Sequence, residues 1–477
     1  MSKNAFLIWA DRGPMMKEII SKLESNSYQV VYWVGLAGGE KDFTSGVFHE
    51  HFSAWTGMPA LGVDPGEFPP PGKDLIEKMY KTESVILTMM NKKFDTLCVD
   101  ERRHIYYSML GYWHGVIKEY KPEVIIFPAF PHTVYNYIIF SLAKLLGIKT
   151  IMFDNPWVAN RLILYNDVFL GSRKLKQELE KNKGKNFALA DLSLEVREYY
   201  EKQIDKNRDV TPIYTKKFKE TTMGFKNDVR RLWKLSKNTL KDGTFFRRLI
   251  HFISKIGKEN LKTEYESVQS FFDAGKNYVY VPLCYQPEAT SSPLGDMFVD
   301  QILMVEILSA ALPKDWVIYV KEHPAQWYAR SRMSYSSNRY AGYYRRMAGI
   351  KNVKIAPFGT DSYQLIEGAR AVAVVTGTVG WEAMLRGKPA LAFGYPWYRD
   401  CEALFKVYNV ESAKEVFLKI IDGYKVSGQD IINYLKSFDA ATFRGYLETV
   451  SGVDPGVGKE ENVENLIKAI LVELNRE

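Results

Sequence analysis

Along most of the chain, short apolar runs alternate with stretches in which apolar residues recur every three to four positions. AFLIWA, from Ala5, predicts a strand, and the spacing from Met15 to Leu23 predicts a helix. YQVVYWVG (Tyr28 to Gly35) is a second strand, with a turn at Gly38-Gly39 after it, and EFPPPG (Glu67 to Gly72) is loop. Helical periodicity returns from Leu75 to about Lys118. EVIIFPA then reads as a fully apolar strand, YNYIIFSLAKLLG as a helix capped by Gly147, and KTIMFD as a further strand. Strands that alternate with helices imply parallel strands covered on both faces.

From about Lys174 to Tyr265 the pattern turns helical and polar, then basic. The alternation resumes with NYVYVPL, a helix from Asp300 to Ala311, WVIYVKEH and a helix around Tyr340 to Met347. It continues with VKIAP, a short helix near Tyr363, AVAVVTG, a helix from Val379 to Arg386, and PALAFG. ENVENLIKAILVEL near the end is an amphipathic helix. The expected organisation is α/β: an N-terminal domain over 1–190, a basic helical insertion over 191–270, a second α/β domain over 271–440 and a helical tail over 441–477. The two domains are expected to face each other across a cleft.

Composition narrows this little: 477 residues, 46% hydrophobic, suffice for two or three cored domains. Charge changes more. Lys216 to Lys258 holds thirteen Lys/Arg against Glu220, Asp228 and Asp242, a net of +10 in a chain whose total is +8. Mixed with Phe218, Phe225, Trp233, Phe245, Phe246 and Phe252, these cations suit an anionic membrane surface, or a solvated hairpin whose aromatics pack on a domain. No nucleic-acid-binding module accompanies them, so nucleic acid is not the expected partner. Cys98, Cys284 and Cys401 form no CxxC pattern, and their odd number fits a reducing cytoplasm. The apolar run before Asp11 is too brief for a signal peptide, and no run of about 18 apolar residues occurs.

In open parallel sheets ligands bind beyond the carboxyl ends of strands, and three such ends carry chemistry. VIYVKEHP (Val317 to Pro324) presents Lys321 and His323, and the proline keeps His323 extended, off the strand end. Both side chains donate hydrogen bonds, but a surface ion pair and a satisfied histidine would also explain them. In AVAVVTGTVGWEAMLRGKPALAFG the strand runs into Thr376-Gly377-Thr378 and a helix begins. Small residues and a helix N-terminus suit a phosphate, and Glu382, one turn on, is placed to accept from a ribose diol. An ordinary capped crossover explains the Thr and Gly but not the Glu as well. In VPLCYQPEATSSPLGDMFVDQ the loop carries Gln286, Glu288, Thr290, Ser291 and Ser292, stiffened by Pro287 and Pro293. Glu288 is a candidate general base; Asp296 and Asp300 are weaker candidates, and Asp300 is expected to cap the next helix. In the first half, IMFDNPWVANRL puts Asp154 and Asn155 at a strand end, where a facing domain would bring an acceptor.

There is no Asp-x-Asp pair, so the metal–diphosphate clamp is missing, and no GxxxxGK[ST] or GxSxG. His49 and His51 of HEH offer two imidazoles without a third ligand in view, so no metal is expected.

YVYVPLCYQPEATSSPLG, YVKEHP and VVTGTVGWEAMLRGKPALAFG, in that order, resemble the capsule polysaccharide biosynthesis glycosyltransferases, a group that includes the Kdo and related nonulosonic-acid transferases. The likeness covers about Asn277 to Tyr398; the first half matches in outline through FDNPW, where Pro156 stands in place of the glycine that relatives often carry. The resemblance implies a GT-B fold of two facing Rossmann-like domains, with the nucleotide-sugar on the second and the acceptor on the first. It implies a CMP-activated donor, a glycan or glycolipid acceptor and no cofactor. Lys321, His323 and the 376–378 turn would then stabilise the departing CMP, with Gln286, Thr290 and Ser291 in support. Glu382 would hold the ribose, and Glu288 or Asp154 would take the acceptor's proton. Peripheral attachment to the inner membrane through 216–258 fits a polymer built on a lipid carrier. The remaining readings are a GT-B epimerase acting on a UDP-sugar, a transferase of CDP-activated polyol phosphate, and a non-enzymatic membrane or nucleic-acid adaptor.

Overall fold

The computed structural model describes residues 2–11, 14–205, 259–327, 334–447 and 456–476. The expected basic insertion at 216–258 therefore lies outside the described residues.

The apolar runs become strands β1 (Lys3–Ile8), β2 (Tyr28–Gly35), β3 (Val47–Glu50), β4 (Val124–Ile126), β5 (Lys149–Asp154) and β6 (Arg161–Tyr165) in the first unit. In the second they become β7 (Tyr278–Pro282), β8 (Val317–Lys321), β9 (Val353–Ile355), β10 (Ala371–Val374), β11 (Ala390–Ala392) and β12 (Leu404–Lys406), and β13 (Phe443–Arg444) follows. The second sheet is ordered β12-β11-β10-β7-β8-β9 and is parallel throughout. Counted from its own first strand this is 3-2-1-4-5-6, the Rossmann order. The first sheet, β13-β6-β5-β4-β1-β2-β3, repeats that order over β1 to β6, with β6 antiparallel to β5 and β13 antiparallel to β6. Both units are thus Rossmann-like, as expected for a GT-B arrangement, and each has one switch point: between β1 and β4, and between β7 and β10.

Periodicity located helices better than their breaks. The stretch from Leu75 to Lys118 is three helices, Lys73–Lys78, Tyr80–Met89 and Val99–Tyr120. Gly147 caps Val134–Leu146 in the left-handed region, φ 71°, and Asp300 caps Gln301–Ala311 by accepting from the amides of Ile302 and Leu303. The tail returns to the first unit. Helix Lys459–Leu474 buries Val463, Leu466, Ile467 and Ile470 in the same core as Met16, Ile19 and Leu23 of helix Pro14–Ser25. Among the described residues no helix is long and apolar enough to cross a membrane.

The units touch at several points. Thr88 and Ser292 share a hydroxyl–hydroxyl bond of 2.8 Å, the Ser337 amide donates to the Asp95 carboxylate, and Arg399 donates to the carbonyl of Val168.

Candidate functional site

The second sheet's switch point brings the three strand-end segments together. β7 lies between β8 and β10, so the ends of those two strands stand two strand spacings apart, about 10 Å. The loop after β7 fills the gap. Thr376 is buried, and its Oγ1 donates to the Thr290 carbonyl at 2.5 Å; Thr290 Oγ1 in turn donates to Glu288 Oε2. Ser291 Oγ donates to the Glu288 carbonyl, which closes the turn. Gly394, after β11, allows the close approach: a Cβ there would lie 2.6 Å from the Leu294 carbonyl oxygen and 2.7 Å from Thr376 Cγ2.

KEHP differs from the surface ion pair that would have explained it blandly. Glu322 and Arg339 form a fully buried pair, Nε to Oε2 at 2.7 Å. Glu322 also accepts from Tyr344 Oη at 2.5 Å and from the His323 amide at 2.7 Å. Arg339 reaches across to β7, donating to the side-chain carbonyl of Gln286 and the backbone carbonyl of Cys284. Gln301 brackets Cys284 from the other side, accepting from its N–H and donating to its C=O. The ends of β7 and β8 are therefore clamped by a satisfied buried network. His323 Nδ1 accepts from the Ala325 amide at 3.1 Å, which leaves the proton of a neutral ring on Nε2. Burial lowers its pKa, against the pull of Glu322 and helped by the nearby Arg339 and Lys321 cations.

Lys321 is buried, and its ammonium donates to the Thr360 carbonyl and to Ser362 Oγ at 3.1 Å. Burial lowers its pKa, against the pull of Asp361. Across the sheet, Thr378 Oγ1 lies 3.4 Å from Glu382 Oε1, and burial raises the Glu382 pKa despite Arg386 beside it. Tyr280 is buried on β7, and burial raises its pKa, with the Glu382 and Asp361 carboxylates adding to the rise. The Gly377 carbonyl, at the start of helix Thr378–Leu385, accepts from Tyr398 Oη.

Glu288 and Asp154 line different cavities. Glu288 shares one with Thr88, Lys92 and His132 of the first unit and with Gln286 and Ser292. Burial holds the His132 pKa down at about 4 and lowers that of Lys92, which Glu288 partly offsets. Asp154, partly buried at the end of β5, shares the other with Tyr165, Leu294, Tyr395, Arg399 and Asp400. Burial pushes its pKa up to about 7 against the hydrogen bond from the Asn155 amide. Of the HEH imidazoles, His49 is satisfied by Tyr32 Oη and the Met58 carbonyl, and His51 Nδ1 bonds Tyr135 Oη. No group of three or more His, Cys, Asp or Glu among the described residues is arranged to hold a metal.

Sequence reasoning missed Arg339, Tyr280, Ser362, Lys92 and His132. Only His132 left a signal: AFPHT follows β4 as KEHP ends β8, with an imidazole beside a proline at a strand end.

Residues 295–402 match the profile of a family described as capsule polysaccharide biosynthesis protein. No curated protein matches the chain. Among solved structures it is similar to Thermosulfurimonas dismutans KpsC, beta Kdo 2,7 transferase, at 13% identity and TM-score 0.32 over 75% of this chain and 89% of that one. It is also similar to Methanocaldococcus jannaschii UDP-GlcNAc 2-epimerase, at 13% identity and TM-score 0.25 over 91% and 98%. The resemblance to the capsule polysaccharide biosynthesis family is borne out over residues 295–402, the segment that carries Lys321, His323, the 376–378 turn and Glu382.

Proposed function

We propose that the chain is a glycosyltransferase of surface-polysaccharide assembly that moves Kdo or another nonulosonic acid from a CMP-sugar to a glycan or glycolipid acceptor, without a metal ion. One observation carries the reading. At the switch point of a 3-2-1-4-5-6 sheet the ends of β8, β7 and β10 stand side by side, two of them inside the segment that matches the capsule family.

In this reading Glu382 accepts from the ribose diol. His323 donates through Nε2–H and the amides of the 376–378 turn through the helix N-terminus, and both face the phosphate. Lys321 adds charge and orders the 360–362 turn through the bonds it makes there. Gln286, Thr290 and Ser291 hold the loop that separates the two strand ends. Asp154 takes the proton from the acceptor hydroxyl, and that oxygen bonds to the anomeric carbon. The bond from the anomeric carbon to the phosphate oxygen breaks, and its electron pair leaves with CMP. The phosphate passes from diester to monoester and gains one negative charge, which the donors stabilise. Asp154 is preferred to Glu288 because a base with a pKa near 7 is half-ionised at neutral pH and still holds a proton firmly. Attachment of the 216–258 segment to anionic membrane is part of the same proposal. Salt-sensitive co-sedimentation with anionic liposomes supports it, and no binding at low salt removes it.

The test is incubation with CMP-Kdo, CMP-N-acetylneuraminate and UDP-GlcNAc, each with a panel of acceptors and with EDTA present, read by mass spectrometry. A glycosylated product from a CMP-sugar alone is expected. Product from UDP-GlcNAc only, its epimerisation, or transfer abolished by EDTA overturns the reading.

A further inference from the structure

At one edge of the first sheet opens a pocket of about 250 Å³ that shares no lining residue with the two cavities of the candidate site. The strand register makes it. β13 pairs with only the first two residues of β6, Phe443 with Leu162 and Arg444 with Arg161. Helix Gly428–Ala441 ends just before β13, so Leu164 has no strand neighbour on that side. Side chains alternate across a strand: Tyr165 lines the cavity of Asp154, whereas Leu164 lines this pocket, on the other face. The start of helix Arg173–Asn182 and the end of helix Lys459–Leu474 flank the gap.

The pocket has two kinds of wall. One is apolar, built from Leu164, Phe443, Ala469 and Val472. Asn166 and Asn465 also line it, but each turns its side-chain amide to a backbone carbonyl, of Thr150 and Arg444. The other wall is cationic. Among the described residues, Arg173, Lys174, Lys468 and Arg476 line it against one carboxylate, Glu473, a net of +3 from four cations and one anion. Glu473 is buried and holds both guanidiniums, Arg476 at 3.1 Å and Arg173 at 3.9 Å. Lys174 and Lys468 form no ion pair within 4 Å with a described carboxylate; Glu178, one turn from Lys174, pairs with Lys181 instead. Burial and the Arg476 cation lower the Lys174 pKa, Glu178 opposes them, and Arg161 and Lys468 add to the drop. Arg173 and Lys174 also occupy the first turn of their helix, which holds no acidic residue, where the helix dipole disfavours cations. Cations crowded in this way are relieved by a bound anion.

A phosphate monoester fits both walls. It carries nearly two negative charges and three acceptor oxygens, and guanidiniums match it in fork geometry. The apolar wall takes the body to which the phosphate is attached. An apolar cavity of about 150 Å³ holds benzene, so this pocket has room for a body of that size and the phosphate together. We propose that the pocket binds a phosphate monoester carried on an apolar body, either the head of a membrane phosphatidate or a free alkyl or aryl phosphate. The ligand is set by these residues and is independent of the transferase reading.

The probe is dihexanoyl phosphatidate, a soluble ester, with inorganic phosphate and dihexanoyl phosphatidylcholine as controls. Calorimetry is run on the full chain and on Lys174→Gln/Lys468→Gln, Lys174→Arg/Lys468→Arg and Val472→Glu. All three positions are exposed, so every variant is expected to melt like the wild type. The cations of 216–258 are the same in all four proteins, so binding there produces no difference between them. The wild type should bind dihexanoyl phosphatidate at least ten-fold more tightly than either control. The Gln and Glu variants should bind it at least five-fold more weakly than the wild type, and the Arg variant like the wild type. No binding by the wild type, equal binding by the wild type and the Gln variant, or inorganic phosphate bound as tightly as the ester overturns the proposal. Co-sedimentation with phosphatidylcholine vesicles, with and without phosphatidate, identifies the source. Phosphatidate-dependent sedimentation that the Gln variant loses supports a membrane lipid; equal sedimentation of both proteins beside the calorimetric difference supports a soluble phosphate ester.

Discussion

Asp154 and Glu288 share a charge but not an environment, and their substitutions should separate. Loss of a positioned base typically costs 10²–10⁴ in rate. Asp154→Asn is expected to lower kcat within that range and Glu288→Gln by less than ten-fold, measured as transfer rate at saturating donor; the reverse order assigns the base to Glu288. The pKa of Asp154 also sets two pH dependences. Activity should fall below about pH 7 as the carboxylate protonates. Stability runs the other way. The folded pKa is raised from 3.8 to about 7, so between those values the native state keeps a proton that the unfolded chain has released. That group's stabilising effect is complete below pH 4 and lost by about pH 7. Asp154→Asn, with no charge to bury, should therefore raise the melting temperature at pH 8 and change it little at pH 4. Equal shifts at both values contradict the burial argument. At this scale the sequence exposed side chains at strand ends, because those ends are where chains break pattern. It could not show that Lys321 spends its donors on the 360–362 turn, because that turn lies 39 residues away.

Among the elements, the ends of β7 and β8 are held together by Glu322 and Arg339. Removing one member of a buried pair leaves an uncompensated charge, at a cost of about 3–5 kcal/mol. Arg339→Met should lower the urea midpoint accordingly, and Glu322→Gln/Arg339→Met should recover part of the loss. An unchanged midpoint in the single variant rules out the clamp. Gly394→Ala tests the approach of the next loop. The backbone oxygens of Leu294 and Val375 crowd the added methyl at 2.6 and 3.1 Å, so about 1–3 kcal/mol of stability should be lost, with KM for the donor rising several-fold. Wild-type KM with lowered stability would confine Gly394 to folding. The long apolar strands were legible because a strand buried on both faces is apolar throughout. β3, β6, β12 and β13 were not; β3, β12 and β13 are edge strands that carry Glu50, Lys406 and Arg444 and so do not read as apolar runs. Nor did periodicity show that Leu75 to Lys118 breaks after Lys78 and Met89, since apolar residues continue across both breaks. Arg339 sits in irregular chain, where no pattern marks it.

At the scale of the whole molecule, two sheets repeat one strand order, their units touch, and the chain's last described helix returns to the first unit. The alternation of strands and helices announced two such units. The return of the tail was not legible, because an amphipathic helix shows that it has a partner without saying which. The proposed cytidine nucleotide would bind at the second sheet's switch point, on the 376–378 turn, His323 and Glu382. Calorimetric titration of CMP and UDP into the wild type and into Glu382→Gln tests this most directly. CMP should bind the wild type more tightly than UDP and lose at least ten-fold in affinity to Glu382→Gln. Tighter binding of UDP, or equal CMP affinity in both proteins, rules out a cytidine site there.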